Sequence, residues 1–260
     1  MKKVLVIGDS CLDMFIYGNC SRLCPEAPVP IFNPLKTVGN GGMAINVYEN
    51  LKALGVQCDI LTNDLRPVKT RYVDEVSNQM LLRVDQKDSI FPMKREDLDK
   101  LDLNDYDAIV ISDYNKGFLS IEDIVYISNN HSLTFMDSKK RIYGWCDYIT
   151  HIKINQKEFL QNEGYLIDHY PGDLIVTEGR LGATRYYDDD GEIKNESFPI
   201  LEEHDVRDLS GAGDTFLAAL VAKYLENSDI CEAIRFANKC AAWVVTQKGV
   251  VVIDTKKVGL

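Results

Sequence analysis

Near the C-terminal end of the chain, Asp208-Leu209-Ser210-Gly211-Ala212-Gly213-Asp214-Thr215 leads directly into an apolar helical face of Phe216, Leu217, Leu220, Val221, Tyr224 and Leu225. Two glycines let a turn direct its N–H groups inward, and a helix start adds unpaired donors and a positive dipole end. Together they form an anion hole suited to a phosphoryl group in flight. Asp214 sits at the helix start, where a carboxylate can hold an attacking hydroxyl and accept its proton. The same residues also fit an ordinary Gly-rich turn with Asp214 as the helix N-cap.

Three further stretches carry possible chemistry. Gly39-Asn40-Gly41-Gly42 opens a helical segment ending at Leu54-Gly55, with Asn46 about one turn inside. Adjacent glycines allow a ligand to approach the backbone, although such entrances also occur in loops that bind nothing. Asn155-Gln156-Lys157-Glu158 sets an amide and a carboxylate on one face of a helical turn. That pair can hold phosphate oxygens or order Mg²⁺ through water, or simply form a capping box. Thr177-Glu178-Gly179-Arg180-Leu181-Gly182 follows a strand and either meets a nucleotide phosphate or turns the chain into Thr184–Asp188. The sequence has no Gly-x-x-x-x-Gly-Lys-[Ser/Thr] P-loop, no Gly-x-Gly-x-x-Gly after its first strand and no Gly-x-Ser-x-Gly elbow. This argues against a Walker-type NTPase, a dinucleotide dehydrogenase and an α/β-hydrolase.

The elements that would hold these residues form a repeating pattern. Apolar runs end in a polar residue at Val4–Ile7 before Gly8-Asp9, Ala108–Ile111 before Ser112-Asp113, and Leu133–Met136 before Asp137. Tyr148–Ile154 runs into Asn155, and Leu174–Val176 into Thr177. Continuous apolar runs predict strands covered on both faces, as in a parallel sheet. Helices are predicted at Met43–Leu54, at Ile121–Asn129, from about Thr215, and over Ile230–Val245. Alternating strand and helix implies an α/β layer fold with ligands at the carboxyl ends of the strands, where Asp9, Asp113, Asp137, Asn155 and Thr177 collect. Val29–Phe32 and the pair Lys69–Val73 with Met80–Val84 fall outside the alternation. They predict either a small β flap or an edge hairpin of the same sheet.

Composition narrows the partners. Of 260 residues, 29 are Lys or Arg and 40 are Asp or Glu, a net charge of −11 that disfavours nucleic acid and anionic membranes. No apolar run approaches the roughly 20 residues needed to span a bilayer, and the N-terminus turns polar too soon for a signal peptide. The seven cysteines lack paired spacing and the four histidines are scattered, so a reducing cytoplasm with buried thiols is expected and a zinc site is not.

Taken together, Asp208-x-x-Gly-Ala-Gly-Asp214, Gly41-Gly42 with Asn46, Asn155-x-x-Glu158 and Thr177-x-Gly179-x-x-Gly182 resemble, in order and spacing, the signatures of the PfkB or ribokinase-like carbohydrate kinases. Within that family the chain resembles the D-glycero-β-D-manno-heptose 7-phosphate kinase domains of ADP-heptose synthesis. That likeness rests above all on Ser21-Arg22-Leu23-Cys24-Pro25-Glu26-Ala27-Pro28-Val29-Pro30, supported by Val68-Lys69-Thr70-Arg71, Leu82-Arg83-Val84-Asp85, Ser112-Asp113-Tyr114-x-Lys116-Gly117 and Asp137-Ser138-Lys139. The resemblance implies a three-layer α/β/α fold with a mostly parallel sheet and a small β lid, the span 1–260 forming one kinase domain. It implies Asp214 as catalytic base and Gly211, Ala212 and Gly213 as anion hole. Asp13, Gly41, Gly42 and Asn46 would meet sugar hydroxyls, with Asp113 also on the substrate side. Arg22, Arg71, Arg83, Lys116 and Lys139 are candidates for the sugar's own phosphate. Asn155, Glu158, Thr177, Gly179, Gly182 and Asn238 would face ATP, with Glu158 holding Mg²⁺ through water. A monovalent cation, a homodimer and a cytoplasmic location are compatible with the same resemblance.

The chain also departs from the family's pattern. It passes from Cys58–Thr62 through residues 63–67 straight to Val68, where relatives insert a further helix and strand. The stretch between Phe159 and Asp173 is short, so an edge of the sheet and one covering helix are expected to be missing. Met43 stands where the second glycine of the Gly-Gly pair is usual. The adenylyltransferase activity of bifunctional relatives is expected to be absent. The rival readings are a kinase for a hexose phosphate or nucleoside, and a non-catalytic relative that binds nucleotide or sugar phosphate.

Overall fold

The computed structural model describes residues 2–86, 89–200 and 205–258. Strand β1 (Lys3–Gly8) lies inside an eight-stranded sheet, between β4 (Gln57–Thr62) and β7 (Ala108–Asp113), parallel to both. Beyond β7 follow β8 (Thr134–Ser138), β9 (His151–Asn155) and β10 (Asp173–Thr177), also parallel. The antiparallel β11 (Ala183–Asp189) and β12 (Glu192–Phe198) finish that edge, giving the order β12-β11-β10-β9-β8-β7-β1-β4.

Successive side chains of a strand point to opposite faces, so the uninterrupted apolar run of β1 feeds two cores. Val4 and Val6, with Val110 and Phe135, pack under α1 (Ala44–Ala53), α5 (Ala212–Asn227) and α6 (Ile230–Val244) through Leu51, Leu220 and Ala237. Leu5 and Ile7, with Ile109 and Ile152, pack under α2 (Arg95–Asp99), α3 (Ile121–Asn129) and α4 (Gln156–Asp168) through Leu98, Ile124 and Phe159. The result is a three-layer α/β/α arrangement. Truncating a fully buried side chain such as Leu220 to alanine would cost about 2–5 kcal/mol. A short α7 (Thr255–Val258) ends the described chain.

A separate four-stranded sheet has the order β3-β2-β5-β6, with β2 (Ser10–Asn19), β3 (Asn33–Met43), β5 (Val68–Asp74) and β6 (Met80–Gln86). Cys11, Asp13, Phe15 and Tyr17 alternate onto the buried face of β2, and Phe15, Tyr17 and Val73 pack against Val250. Asn63 fixes the junction between the two sheets: its Oδ1 accepts from Ser10 N at 2.7 Å and its Nδ2 donates to Ser10 O at 3.0 Å.

Several expectations are corrected. Val29–Phe32 forms no strand, only an isolated bridge between Leu23 and Pro30, because Pro28 and Pro30 have no N–H for a ladder; the strand begins at Asn33. Gly39–Gly42 is the end of β3 rather than a helix entrance, and α1 starts only at Ala44. Its N-cap, Met43, has φ 62°, a left-handed backbone that favours the glycine the family usually places there. After Phe159 the chain only completes α4 before β10 begins at Asp173, whereas that edge of the sheet is not missing and runs on to β12. The other edge does stop at β4, and residues 63–67 lead directly into β5.

Candidate active site

Gly211 is the N-cap of α5, with φ 81°, and Asp214 is the third residue of the helix rather than its cap. Asp214 is 5% exposed, and its carboxylate is held by two side chains from other elements. Oδ1 accepts from the Tyr114 hydroxyl at 2.6 Å and Oδ2 from Asn46 Nδ2 at 3.0 Å. A ladder of amides aims Asn46. Ile253 N donates to Asn50 Oδ1 at 3.0 Å, and Asn50 Nδ2 donates to Asn46 Oδ1 at 3.0 Å, which leaves the Asn46 amide nitrogen facing Asp214. Burial raises the Asp214 pKa to about 6, against the two donors, which favour the charged form. Asp137 pushes the same way as burial and Lys153 opposes it.

Asp9 positions Tyr114. Its buried carboxylate accepts from the backbone N–H groups of Lys116 at 3.1 Å and Phe118 at 3.2 Å, which fastens the loop after β7. Burial moves the Asp9 pKa up. Asp113, expected on the substrate side, is instead fully buried and occupied: it accepts from Ser138 Oγ, from Lys140 Nζ at 2.7 Å and from Asn115 N at 3.1 Å. It ties β7 to the end of β8.

Beside the glycine turn lies a chain of charges. Lys153 Nζ, on β9, reaches Asp137 Oδ2 at 2.6 Å, and Lys139 Nζ bridges Asp137 Oδ1 at 2.9 Å and Glu158 Oε1 at 2.7 Å. A Cβ built on Gly213 would stand 3.0 Å from Lys153 Nζ, so this ammonium borders the turn directly. Lys153 is absent from the residues the sequence singles out, because it lies within the apolar run Tyr148–Ile154. The available signal is a lysine inside a buried strand, which needs a carboxylate partner. Asn155 and Glu158 form the capping box of α4: Asn155 Oδ1 accepts from Glu158 N at 2.9 Å and Glu158 Oε2 from Asn155 N at 2.9 Å.

On the far side of the turn is a cavity of about 900 Å³, lined among others by Thr177, Gly179, Gly182, Ala212, Gly213 and Asn238. The Asn238 amide donates to Phe198 O at 2.8 Å, and Thr177 Oγ1 to Ile154 O at 3.3 Å. Gly182 has φ 99°, and a Cβ there would stand 2.1 Å from Phe198 O, so only glycine fits this wall.

The four-stranded sheet closes the other side. Asp13 is ion-paired with Arg71 and accepts from Cys11 Sγ at 3.6 Å. A Cβ on Gly42 would lie 2.1 Å from Asp13 Oδ2, so glycine here makes room for that carboxylate. Gly41 is next in the same strand and packs on Ile45. Arg83 is bound to Asp85, and Arg22 is exposed on the connection between β2 and β3, outside this cluster. Lys116 contributes its backbone N–H to Asp9, as above.

The eight-stranded sheet, flanking helices and small second sheet define a ribokinase-like fold. The arrangement superposes on ribokinase from Thermotoga maritima with TM-score 0.75 at 16% identity, covering 100% of this chain and 98% of that one. It superposes on phosphofructokinase-2 from Escherichia coli with TM-score 0.76 at 14% identity, covering 100% and 97%. Residues 129–256 match the pfkB family carbohydrate kinase profile. A bifunctional protein HldE from Helicobacter pylori is 30% identical over 313 aligned positions, covering 100% of this chain and 66% of that protein. The HldE of Helicobacter hepaticus is 31% identical over 296 positions, covering 95% and 61%. This chain therefore spans just under two thirds of the length of these relatives, and it belongs to the pfkB family of carbohydrate kinases.

Proposed function

We propose that the protein transfers the γ-phosphoryl group of ATP to a sugar hydroxyl, the anomeric hydroxyl of a heptose 7-phosphate. The observation that carries this reading is the Asp214 carboxylate, fixed by Tyr114 and Asn46 beside the Gly211–Gly213 turn that borders a nucleotide-sized cavity. The heptose assignment rests on the Ser21–Pro30 motif and on the HldE relatives. Span 1–260 acts as one kinase domain whose four-stranded sheet is the lid, working in the cytoplasm on small anionic substrates.

In this reading Asp214 orients the acceptor hydroxyl and takes its proton late, as suits a loose transition state. The first-turn N–H groups of α5, which have no helical acceptors, and the Lys153 ammonium face the transferred charge. Asp13 and Asn46 hold sugar hydroxyls. Thr177, Gly179, Gly182 and Asn238 hold the nucleotide in the cavity whose size and glycine walls fit it. Glu158 has each oxygen in one contact and keeps lone pairs for waters on Mg²⁺, which when bound would neutralise phosphate charge.

The acid limb of kcat/KM follows from Asp214. A base with pKa about 6 is ionised above that pH and lost below it, so kcat/KM is expected to fall about tenfold per unit on the acid side. Tyr114→Phe deletes a donor that favours the carboxylate, so the limb should move to higher pH. A limb that stays in place in a folded Tyr114→Phe protein would contradict the role of Asp214 as base. A coupled ADP-release assay with Mg²⁺-ATP over heptose, hexose and pentose phosphates tests the reading as a whole. ADP release should be fastest with the heptose 7-phosphate, and none with any sugar would overturn it.

A further inference from the structure

We infer that Lys69, held beside Tyr114 with both neighbouring carboxylates already taken by arginines, is the seat for the phosphate that the acceptor sugar already carries. This rests on the kinase reading above and adds to it the residue that selects phosphorylated over neutral sugars.

The register of the small sheet places Lys69 of β5 between Asp13 of β2 and Asp85 of β6. Either carboxylate would be its natural partner. Both are occupied: Asp13 is ion-paired with Arg71, and Asp85 is held by Arg83 through Nε and Nη2, each at 2.7 Å. Lys69 is only 9% exposed, and among the described residues it makes no ion pair. Its ammonium lies 5.8 Å from the ring centre of Tyr114, the residue whose hydroxyl donates to Asp214. The lysines on the opposite side are committed: Lys139 and Lys153 to Asp137, and Lys140 to Asp113.

A buried ammonium without a counter-ion is costly to keep, and the cost is offset when an anion arrives. A neutral sugar offers only hydroxyls, whereas a phosphate monoester brings charge and several acceptor oxygens. Lys153 and the glycine turn serve the phosphoryl group being transferred. Lys69, on the lid, is free for the one the acceptor brings. Arg22, Arg83 and Lys116 are not required for this task.

The test is the ratio of kcat/KM for the best phosphorylated acceptor to that for its unphosphorylated form, in wild type, Lys69→Met and Lys69→Arg. In Lys69→Met the value for the phosphorylated sugar should fall about 10- to 100-fold, mainly through KM, while the neutral sugar changes little. Lys69→Arg should recover part of the discrimination. Folding is checked by melting: removing an unpaired buried charge should leave the ligand-free melting temperature equal or higher. Calorimetry with Mg²⁺-ATP separates the two possible phosphate sources, and equal nucleotide affinity in wild type and Lys69→Met is expected. An unchanged ratio, an equal fall for both sugars, or a loss confined to kcat would overturn the assignment of Lys69 while leaving the kinase reading intact. A wild-type protein silent on every sugar would overturn both.

Discussion

Asp214→Asn is expected to reduce turnover about 10²–10⁴-fold while ATP affinity changes little, the contribution usual for a positioned general base. Asparagine keeps the size of the side chain but loses nearly all proton affinity. Its amide accepts through one oxygen only and donates through its NH2, so Asn46 can still donate to it while the Tyr114 hydroxyl must turn from donor to acceptor. The N-cap alternative forecasts no such loss, since Asn caps as well as Asp. The structure already removes the basis for that alternative, because Gly211 is the cap and among the described residues no backbone N–H binds the Asp214 side chain. Stability moves the other way. Burial raises the folded pKa of Asp214 above that of the unfolded chain, so its stabilising contribution is present below about pH 4 and lost as pH rises through about 6. At pH 8 the ionised group weakens the fold, and Asp214→Asn should melt at the same temperature or higher. Loss of activity therefore cannot be charged to unfolding. A folded variant with near-wild-type turnover would end the assignment.

Lys153→Met should produce the largest loss of stability. Lys153 and Asp137 are 3% and 2% exposed, and their ion pair is 2.6 Å long. Burial pushes the Asp137 pKa up, but Lys153 and Lys139 outweigh it and hold it down to about 2. Removing Lys153 leaves the buried carboxylate with Lys139 alone, itself shared with Glu158. Breaking such a pair costs about 3–5 kcal/mol, whereas replacing both partners with apolar residues costs far less. Denaturant unfolding of Lys153→Met, Asp137→Leu and the double variant checks this. The double variant should recover much of what Lys153→Met loses, and additive losses would show that the pair is not coupled. Turnover should fall even under conditions where Lys153→Met is folded, because its ammonium borders the Gly213 turn.

The main sheet is legible in the sequence because its strands are buried on both faces and read as plain apolar runs: Val4–Ile7 lies within β1 and Ala108–Ile111 within β7. The small sheet is half legible. Val68–Asp74 and Met80–Gln86 are short runs rich in aliphatic, β-branched and aromatic residues and read as strands, but β3 carries Pro34 and three glycines, which have little strand preference of their own. Its course is fixed by pairing with β2, a long-range fact no local window contains. The glycine turn and Asp214 are legible because one short segment supplies turn, helix start and carboxylate together. Their supports are not. Tyr114 and Asn46 lie 100 and 168 positions from Asp214, and only the fold brings them onto its two oxygens. Asn50 is a partial exception, since it stands one turn beyond Asn46 on the same face of α1 and could have been paired with it.

The most direct measurement follows the phosphoryl group itself. ATP labelled in its γ-phosphoryl group is incubated with the protein, Mg²⁺ and heptose 7-phosphate, and the products are separated. The expected result is label on the sugar, at its anomeric position, in step with ADP formed. Label that stays in ATP, appears only as inorganic phosphate, or enters the sugar equally well from the Asp214→Asn protein would contradict a sugar kinase built on Asp214.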